Sequence, residues 1–484
     1  MSRQAKAMVR VILVLAWPTM LEQIMQSAVQ YIDTAMVGSL GTQATAAVGA
    51  TTTIGWLVQS SITAFSVGFL ACISQACGAG NRQAARRAAA QAVLAVLVIG
   101  GACTVLTVSL SGKIPVWMRA EPHIRPAASR YFLILYLPML FRTASIVLGT
   151  VLRAAGDTKT PMKAGLLVNC LNVALNLLLI YPTRRVSLLG HALVIPGAGW
   201  GVAGAAAASA AAYTWGGIQI TRALWRHPDV SPRGQSLRPD PDILRPCLRV
   251  ALPNMLQRFV SSLGYVAFAA MINALGETAA AAHTIANTVE SAFYIPGYGM
   301  QTAAATLTGN ACGARDSKRM RSLTTLFIPV EAGLMCLTGG MLFASAPLLM
   351  RLFSDSGEVV SLGAAVLRMV AVSEPLYGVS IIVEGMMMGV GQTRRPFLYN
   401  ITGMWCVRVL GTFLCTRALG GGLIAAWGCM IAHNMLLFVL YSVSFLTGNW
   451  NPLQEDGRTG APPRASAKMP EALPDRGGEE TEDP

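Results

Sequence analysis

Apolar residues come in long unbroken runs instead of alternating with polar ones. A helix needs about 20 mostly apolar residues to cross a hydrocarbon core of roughly 30 Å, and runs of that length recur along nearly the whole chain. Twelve spans are expected, centred near residues 24, 58, 100, 138, 172, 207, 259, 294, 336, 373, 406 and 435. Gly and Pro inside them are tolerated in a bilayer. The first run carries Glu22 and Asp33 and has no separate basic, apolar and cleavage segments, so a retained helix is expected and not a signal peptide. Residues 448–484, rich in Pro, Gly and charge, are expected to form a disordered cytoplasmic tail.

Composition agrees with the runs: 53% of residues are hydrophobic, 12% are charged and the mean hydropathy is +0.51, far too apolar for an ordinary soluble protein. The net charge of +14 raises the question of nucleic acid, and its distribution answers it. With the N-terminus placed inside, inner segments and the tail hold 25 Lys and Arg against 8 outside. That asymmetry orients the chain with both termini cytoplasmic, and no nucleic-acid partner is expected. Of ten Cys, Cys72, Cys77, Cys103, Cys170, Cys336, Cys406, Cys415 and Cys429 sit in or beside apolar spans and are expected to be buried thiols. No Cys/His grouping has zinc spacing, and no cofactor is expected beyond a coupling ion.

The chain repeats itself at a shift of 235 residues. Pro18-Thr-Met-Leu falls on Pro253-Asn-Met-Leu, Leu40-Gly41 on Leu275-Gly276, and Ala76-Cys77-Gly78-Ala79 on Ala311-Cys312-Gly313-Ala314. Gly156-Asp157-Thr158-Lys159-Thr160-Pro161 falls on Gly391-Gln392-Thr393-Arg394-Arg395-Pro396. The expected fold is all-α and membrane-integral, with twelve transmembrane helices in two six-helix bundles around a V-shaped cavity. The N-lobe covers 1–225, a Pro-rich cytoplasmic linker 226–245 and the C-lobe 246–447. Six spans per copy give both copies the same orientation, and parallel repeats of this kind build alternating-access transporters.

Several motifs in one register carry a family resemblance over roughly residues 10 to 447. "PTMLEQIMQSAVQYIDTAMVGSLGTQATAAVGA" from Pro18, "LRAAGDTKTPM" from Leu152, "IPGAGWGVAGAAAASAAAY" from Ile195 and "AAAAHTIANTVESAFYIPGYGMQTAAATLTGNACGA" from Ala279 resemble helix one, the loop after helix four, helix six and helix eight of the multidrug and toxic compound extrusion (MATE) family. The resemblance implies a secondary active antiporter that exports organic cations in exchange for protons or sodium ions. It also implies a multi-pass protein of the inner (plasma) membrane, and a monomer is expected.

Charges inside a bilayer are costly and point to function. The acids within spans are Glu22, Asp33, Glu290, Glu331, Glu374 and Glu384; the bases are Arg142, Arg258, Arg368 and Arg408. Asp33, in "YIDTAMVG", resembles the family's helix-one coupling carboxylate, which binds sodium or a proton; the other reading is a solvated residue near the helix end. Asn172 and Asn176 are four apart and share a helix face, where their amide oxygens suit sodium or simply bond a neighbouring helix. One branch of the family has an Asn and an Asp at the matching places, so Asn176 replaces an acid. Another branch places acids at the positions of Ser261 and near Tyr377, which are not acidic here. Glu374 is expected to be the main second-lobe proton or cation site with Glu290 as helper, unless Glu374 is paired with Arg258 or Arg408. Glu22, four residues after Pro18, is expected to bind the cationic substrate or a proton, or else to bond Gln23 or Gln26. Tyr31, Tyr294, Tyr298 and Tyr377 can stack on flat cations or pack structurally. Tyr298 and Tyr377 are the substrate candidates among them.

Two other classes stay open. One is a lipid-linked oligosaccharide flippase of the same superfamily, and the other a channel or membrane enzyme. No paired His, nucleophile elbow or Walker loop favours an enzyme. The Gly156–Pro161 stretch has its acid replaced in the second copy by Gln392. It therefore reads as a tight turn with a cytoplasmic basic anchor, and the chemistry is expected on the buried carboxyls.

Overall fold

The computed structural model describes residues 3–118, 120–188, 191–448 and 450–453. The expected tail lies outside them beyond residue 453. Twelve helical segments follow in order: α1 (Arg3–Gly38), α2 (Thr42–Gly78), α3 (Arg82–Leu110), α4 (Arg125–Tyr136 and Met139–Ala154), α5 (Lys159–Leu179), α6 (Gly201–Arg226), α7 (Pro241–Asn273), α8 (Glu277–Gly313), α9 (Ser317–Arg351), α10 (Gly357–Gly389), α11 (Arg394–Ala418) and α12 (Leu423–Thr447). Eleven of the expected centres fall inside a helix. The twelfth, residue 138, is the proline at which α4 breaks and bends by 47°. Among the described residues nine helices are long and apolar enough to cross a membrane, or ten if the two pieces of α4 count as one span. The long segments α6 and α8 are not in that set; both are rich in Ala and Gly.

One departure from helix among the described residues is an antiparallel hairpin of β1 (Pro182–Leu188) and β2 (His191–Ala198) between α5 and α6. It lies at one end of the bundle, the hairpin face. The chain start and the α6–α7 linker lie at the other end, the linker face.

Backbone conformation repeats at the interval the sequence repeats. Gly41 and Gly276, which open α2 and α8, have φ of 105° and 110°; Gly156 and Gly391, before α5 and α11, have φ of 90° and 83°. Only glycine adopts such angles freely. Asn81 caps α3 by accepting from the Ala84 amide at 2.9 Å, and Asp316 caps α9 by accepting from Arg319 at 2.9 Å. Asp157, whose counterpart is Gln392, accepts from the Thr160 amide at 3.0 Å.

The lobes meet through contacts that are likewise built twice. The Thr19 hydroxyl on α1 donates to the carbonyl of Gly299 on α8 at 3.0 Å, and the matching Asn254 on α7 donates to Ala64 on α2 at 2.8 Å. Close to the linker face α2 crosses α8, and a Cβ on Gly78 would run into the Asn310 carbonyl as one on Gly313 would run into that of Gln75. Gln75 also donates to the Gly389 carbonyl of α10 at 3.0 Å, and Thr306 donates to that of Arg153 at 3.4 Å. Toward the hairpin face the lobes touch by side chains. Tyr31 donates to the Thr288 carbonyl at 3.4 Å and Trp56 stands edge-on to Tyr265 with ring centres 6.5 Å apart. All three aromatics remain at least 40% exposed. The lobes are thus in backbone contact close to the linker face and in side-chain contact toward the other.

Two expectations are corrected here. The linker was placed at 226–245, but α7 begins at Pro241, because the Asp240 side chain accepts from the Asp242 amide at 3.1 Å and Pro241 takes the first helical position, where no N–H is needed. The linker is also not free. Arg82 pairs with Asp229 at 2.8 Å, Arg87 with Asp240 at 2.5 Å, Arg86 donates to the Pro228 carbonyl at 2.7 Å, and Gln91 holds the Arg238 carbonyl and the Asp240 amide. The second correction concerns the thiols: Cys170, Cys336 and Cys406 are exposed on helix faces.

Near the linker face the first lobe is tied by an ion pair in which Arg153 Nη2 lies 2.7 Å from both oxygens of Glu22, joining α1 to the end of α4. Both side chains are about four-fifths buried, at 18% and 21% exposure. Glu22→Ala should cost about 1.5–3 kcal/mol in thermal unfolding in detergent, and the exchanged pair Glu22→Arg with Arg153→Glu should recover most of it. No recovery would mean that the contact is incidental. Gly78→Val should force α2 off Asn310, and peptide mapping after maleimide treatment should show faster labelling of the neighbouring Cys77; an unchanged rate would show that the crossing tolerates a side chain.

Candidate functional site

Three helices of the first lobe bring together Asp33 (α1), Asn172 and Asn176 (α5) and Ser209 (α6). Asn176 Nδ2 donates to Asp33 Oδ1 at 2.6 Å, and Asn172 and Asn176 are buried. Turning the Asn172 amide in place lets its nitrogen donate to Asp33 Oδ1 at 2.8 Å while its oxygen accepts from Ser209 Oγ at 2.9 Å. Asn176 Oδ1 is buried without a partner. A carboxylate between two amides can hold their N–H groups when unoccupied, or accept a cation once the amide oxygens swing toward it. Asp33 was a candidate by itself and Asn172 and Asn176 as a pair on one helix face; the structure brings all three into contact.

Behind Asp33 lies an aromatic cage that the sequence reading did not assign. Arg142 on α4 sits 4.5 Å from the ring centre of Tyr213 and 5.8 Å from that of Tyr136. Tyr131 interacts electrostatically with both Arg142 and Asp33. Cation–π contact is how a guanidinium without a carboxylate is accommodated at membrane depth.

The second lobe is unlike the first. The positions matching Asp33 and Asn172 by the 235-residue shift are Phe268 and Val407, and Arg408 lies 4.2 Å from the Phe268 ring centre and 4.7 Å from that of Tyr265. Arg408 is buried in a widened π turn of α11 (Thr402–Val409) and interacts electrostatically with Glu290, His283 and His433. Glu290 on α8 and Glu374 on α10 are both buried and face one another. Among the described residues Glu374 makes no ion pair with Arg258 or Arg408; its charged neighbours are Glu290 and Glu331, and its Oε2 has no hydrogen-bond partner. Arg258 instead lies 5.9 Å from the Tyr298 ring centre and interacts with Glu384.

Tyr298 and Tyr377 join hydroxyl to hydroxyl at 3.1 Å, and Tyr294 stands edge-on to both at 5.7 and 6.4 Å. Of these rings, that of Tyr298 already carries Arg258. Glu22 is likewise engaged by Arg153, at one end of the first lobe and not on the Asp33 cluster.

Two acids received no role from the sequence. Glu384 accepts from Gln257 at 2.9 Å, Gln301 at 3.1 Å and Asn400 at 3.1 Å. Gln257 matches Glu22 in the repeat, so each lobe ties its first helix to its fourth from the same position, by an ion pair to Arg153 in one and by an amide hydrogen bond to Glu384, one turn before the match of Arg153, in the other. Glu331 on α9 is wholly buried with neither oxygen bonded.

With this geometry in hand, the chain can be set beside known proteins. The sequence pattern of the MatE family matches residues 18–178 and 253–414, one stretch in each lobe. The probable multidrug resistance protein NorM of Thermotoga maritima is 27% identical over 90% of this chain and 92% of its own length. The probable multidrug resistance protein YoeA of Bacillus subtilis is 24% identical over 88% and 90%. A crystal structure of MATE in the bent conformation superposes with a TM-score of 0.83 at 22% identity, covering 95% of this chain and all of that one. An outward-facing multidrug resistance MATE transporter of the MOP superfamily superposes with 0.82 at 23% identity over 92% and 96%. The two matched stretches begin 235 residues apart, at the interval found in the turns, caps and inter-lobe bonds, and the chain belongs to the MatE family of membrane transporters.

Proposed function

We propose that the protein is a multidrug efflux transporter acting as a secondary antiporter, which exports organic cations in exchange for protons or sodium ions by alternating access between its lobes. The observation that carries the reading is the pair of unlike acid sites at membrane depth: Asp33 beneath two amides in one lobe, Glu374 and Glu290 in the other. Uncompensated charge there is expensive, so these groups serve to bind something cationic. The relatives named as multidrug resistance proteins support the substrate class.

In this reading the linker face is cytoplasmic, since it carries most of the Lys and Arg. Both termini are then inside, in the inner (plasma) membrane, and the monomer is the working unit. The protein takes up substrate when the linker face is open and releases it at the hairpin face. Asp33 lies five residues before the hairpin-face end of α1, so a coupling ion reaches it from that side. Glu22, held by Arg153, serves to brace α1 in this state, and Tyr298 and Tyr377 become available to substrate only by exchanging Arg258 for it.

The test uses ethidium in proteoliposomes. Asp33→Asn and Glu374→Gln should each lower gradient-driven ethidium export by roughly tenfold or more while leaving the thermal midpoint near wild type. Export at the wild-type rate in both variants would refute the site assignment. Replacing sodium by potassium at fixed pH should leave export intact if protons drive it and abolish it if sodium does.

A further inference from the structure

Glu290, Glu374 and Glu331 stand on three adjacent helices at stepped depths. At about 1.5 Å per residue they lie roughly 20, 26 and 30 Å from the hairpin-face ends of α8, α10 and α9. The third acid is the one the transport reading leaves unused. Glu331 is fully buried, and neither carboxyl oxygen has a hydrogen-bond partner. Its walls are backbone and apolar: a Cβ on Gly297 of α8 would lie 2.6 Å from its Oε1, and one on Gly378 of α10 would lie 3.4 Å from the same atom. The helices packed on α9 are α1, α8 and α10. From α10, Glu374 is the charged group that interacts with Glu331. From α8, Glu290 faces Glu374 and Arg408. From α1, Glu22 is held by Arg153 and Asp33 by Asn176.

An ionised carboxyl with no donor and no counter-ion is among the costliest things a membrane interior can hold. Such a group is stable there only with a proton or a cation on it. Among the described residues no set of three or more His, Cys, Asp or Glu is placed to hold a metal ion. A proton needs no further ligand, and it is the one taken here to neutralise Glu331.

We propose that Glu331 is a proton-binding residue of the transport cycle, the deep end of a path that runs from the hairpin face through Glu290 and Glu374. This rests on the proton-driven form of the antiport reading above. In the transfer, the O–H bond of the Glu374 acid breaks onto an intervening water while a proton of that water forms the new O–H bond on Glu331. The negative charge passes from Glu331 to Glu374, and nothing else changes. Gly297 and Gly378 leave the space in which the receiving carboxyl can turn.

The experiment counts protons moved per ethidium in proteoliposomes containing a pH dye. In Glu331→Gln, ethidium–ethidium exchange should stay within about twofold of wild type, uphill export should fall roughly tenfold, and the proton count per ethidium should drop. A wild-type count in Glu331→Gln overturns the proposal and leaves the antiport reading standing. A wild-type protein that moves no protons with ethidium overturns both. Should Glu331→Gln fail to fold, dicyclohexylcarbodiimide, which reacts with protonated carboxyls in apolar surroundings, decides on the wild-type protein. Peptide mapping should find Glu331 modified at low pH and spared at high pH. Glu374 modified with Glu331 spared at every pH overturns the proposal.

Discussion

The arrangement depends on one close crossing. Where α2 meets α8 the backbones are separated by nothing larger than hydrogen, Gly78 against the Asn310 carbonyl and Gly313 against that of Gln75. In lipid there is little hydrophobic force to drive helices together, so small residues that allow backbone contact do much of the joining. Because the contact is made by matching residues from each half, it marks the axis that relates the lobes. The cap, turn and proline positions then fall at corresponding places on either side. The backbone contact close to the linker face follows from this crossing.

Around that axis the shells match but the interiors do not. Asp33 and its amides have as counterpart Phe268 and Arg408, so a hydrogen-bonded carboxylate in one lobe is answered by a stacked guanidinium in the other. The acids of the second lobe are on α8, α9 and α10 instead, at positions whose first-lobe partners are Gly55, Val96 and Met139. Duplication supplied a symmetric frame, and the charged residues were distributed over it unequally. The frame thus carries two unlike sets of buried polar groups on one helix packing.

Much of the frame was legible in the sequence. Hydrophobic runs located the helices, since a span's length is set by the bilayer and not by its neighbours, and the repeat located the halves. The pairing of Asn172 with Asn176 was legible because the two share a helix face, whereas their contact with Asp33 on α1 was not. What the sequence hid were contacts between segments far apart in it. Arg153 looked like a basic anchor beside a turn, and nothing local shows that its guanidinium reaches back 131 positions to Glu22. Glu384 and Gln257 were hidden in the same way. The linker's Pro content suggested a free tether, but Asp229 and Asp240 have their partners on α3, which composition alone does not disclose. The motif from Ile195 resembles helix six, but Ile195–Ala198 belong to β2 and that helix starts at Gly201.

That pinned linker changes how the two halves can move. A loose connector would transmit no force, and each lobe would rotate independently up to the connector's full reach. Here Arg82, Arg86, Arg87 and Gln91 fasten it along α3 up to Asp240, the residue that caps α7. The free length is thereby reduced to almost nothing, and the start of α7 becomes a fulcrum carried on the first lobe. Any rotation about it would swing the far end of α7 through a longer arc than the near end.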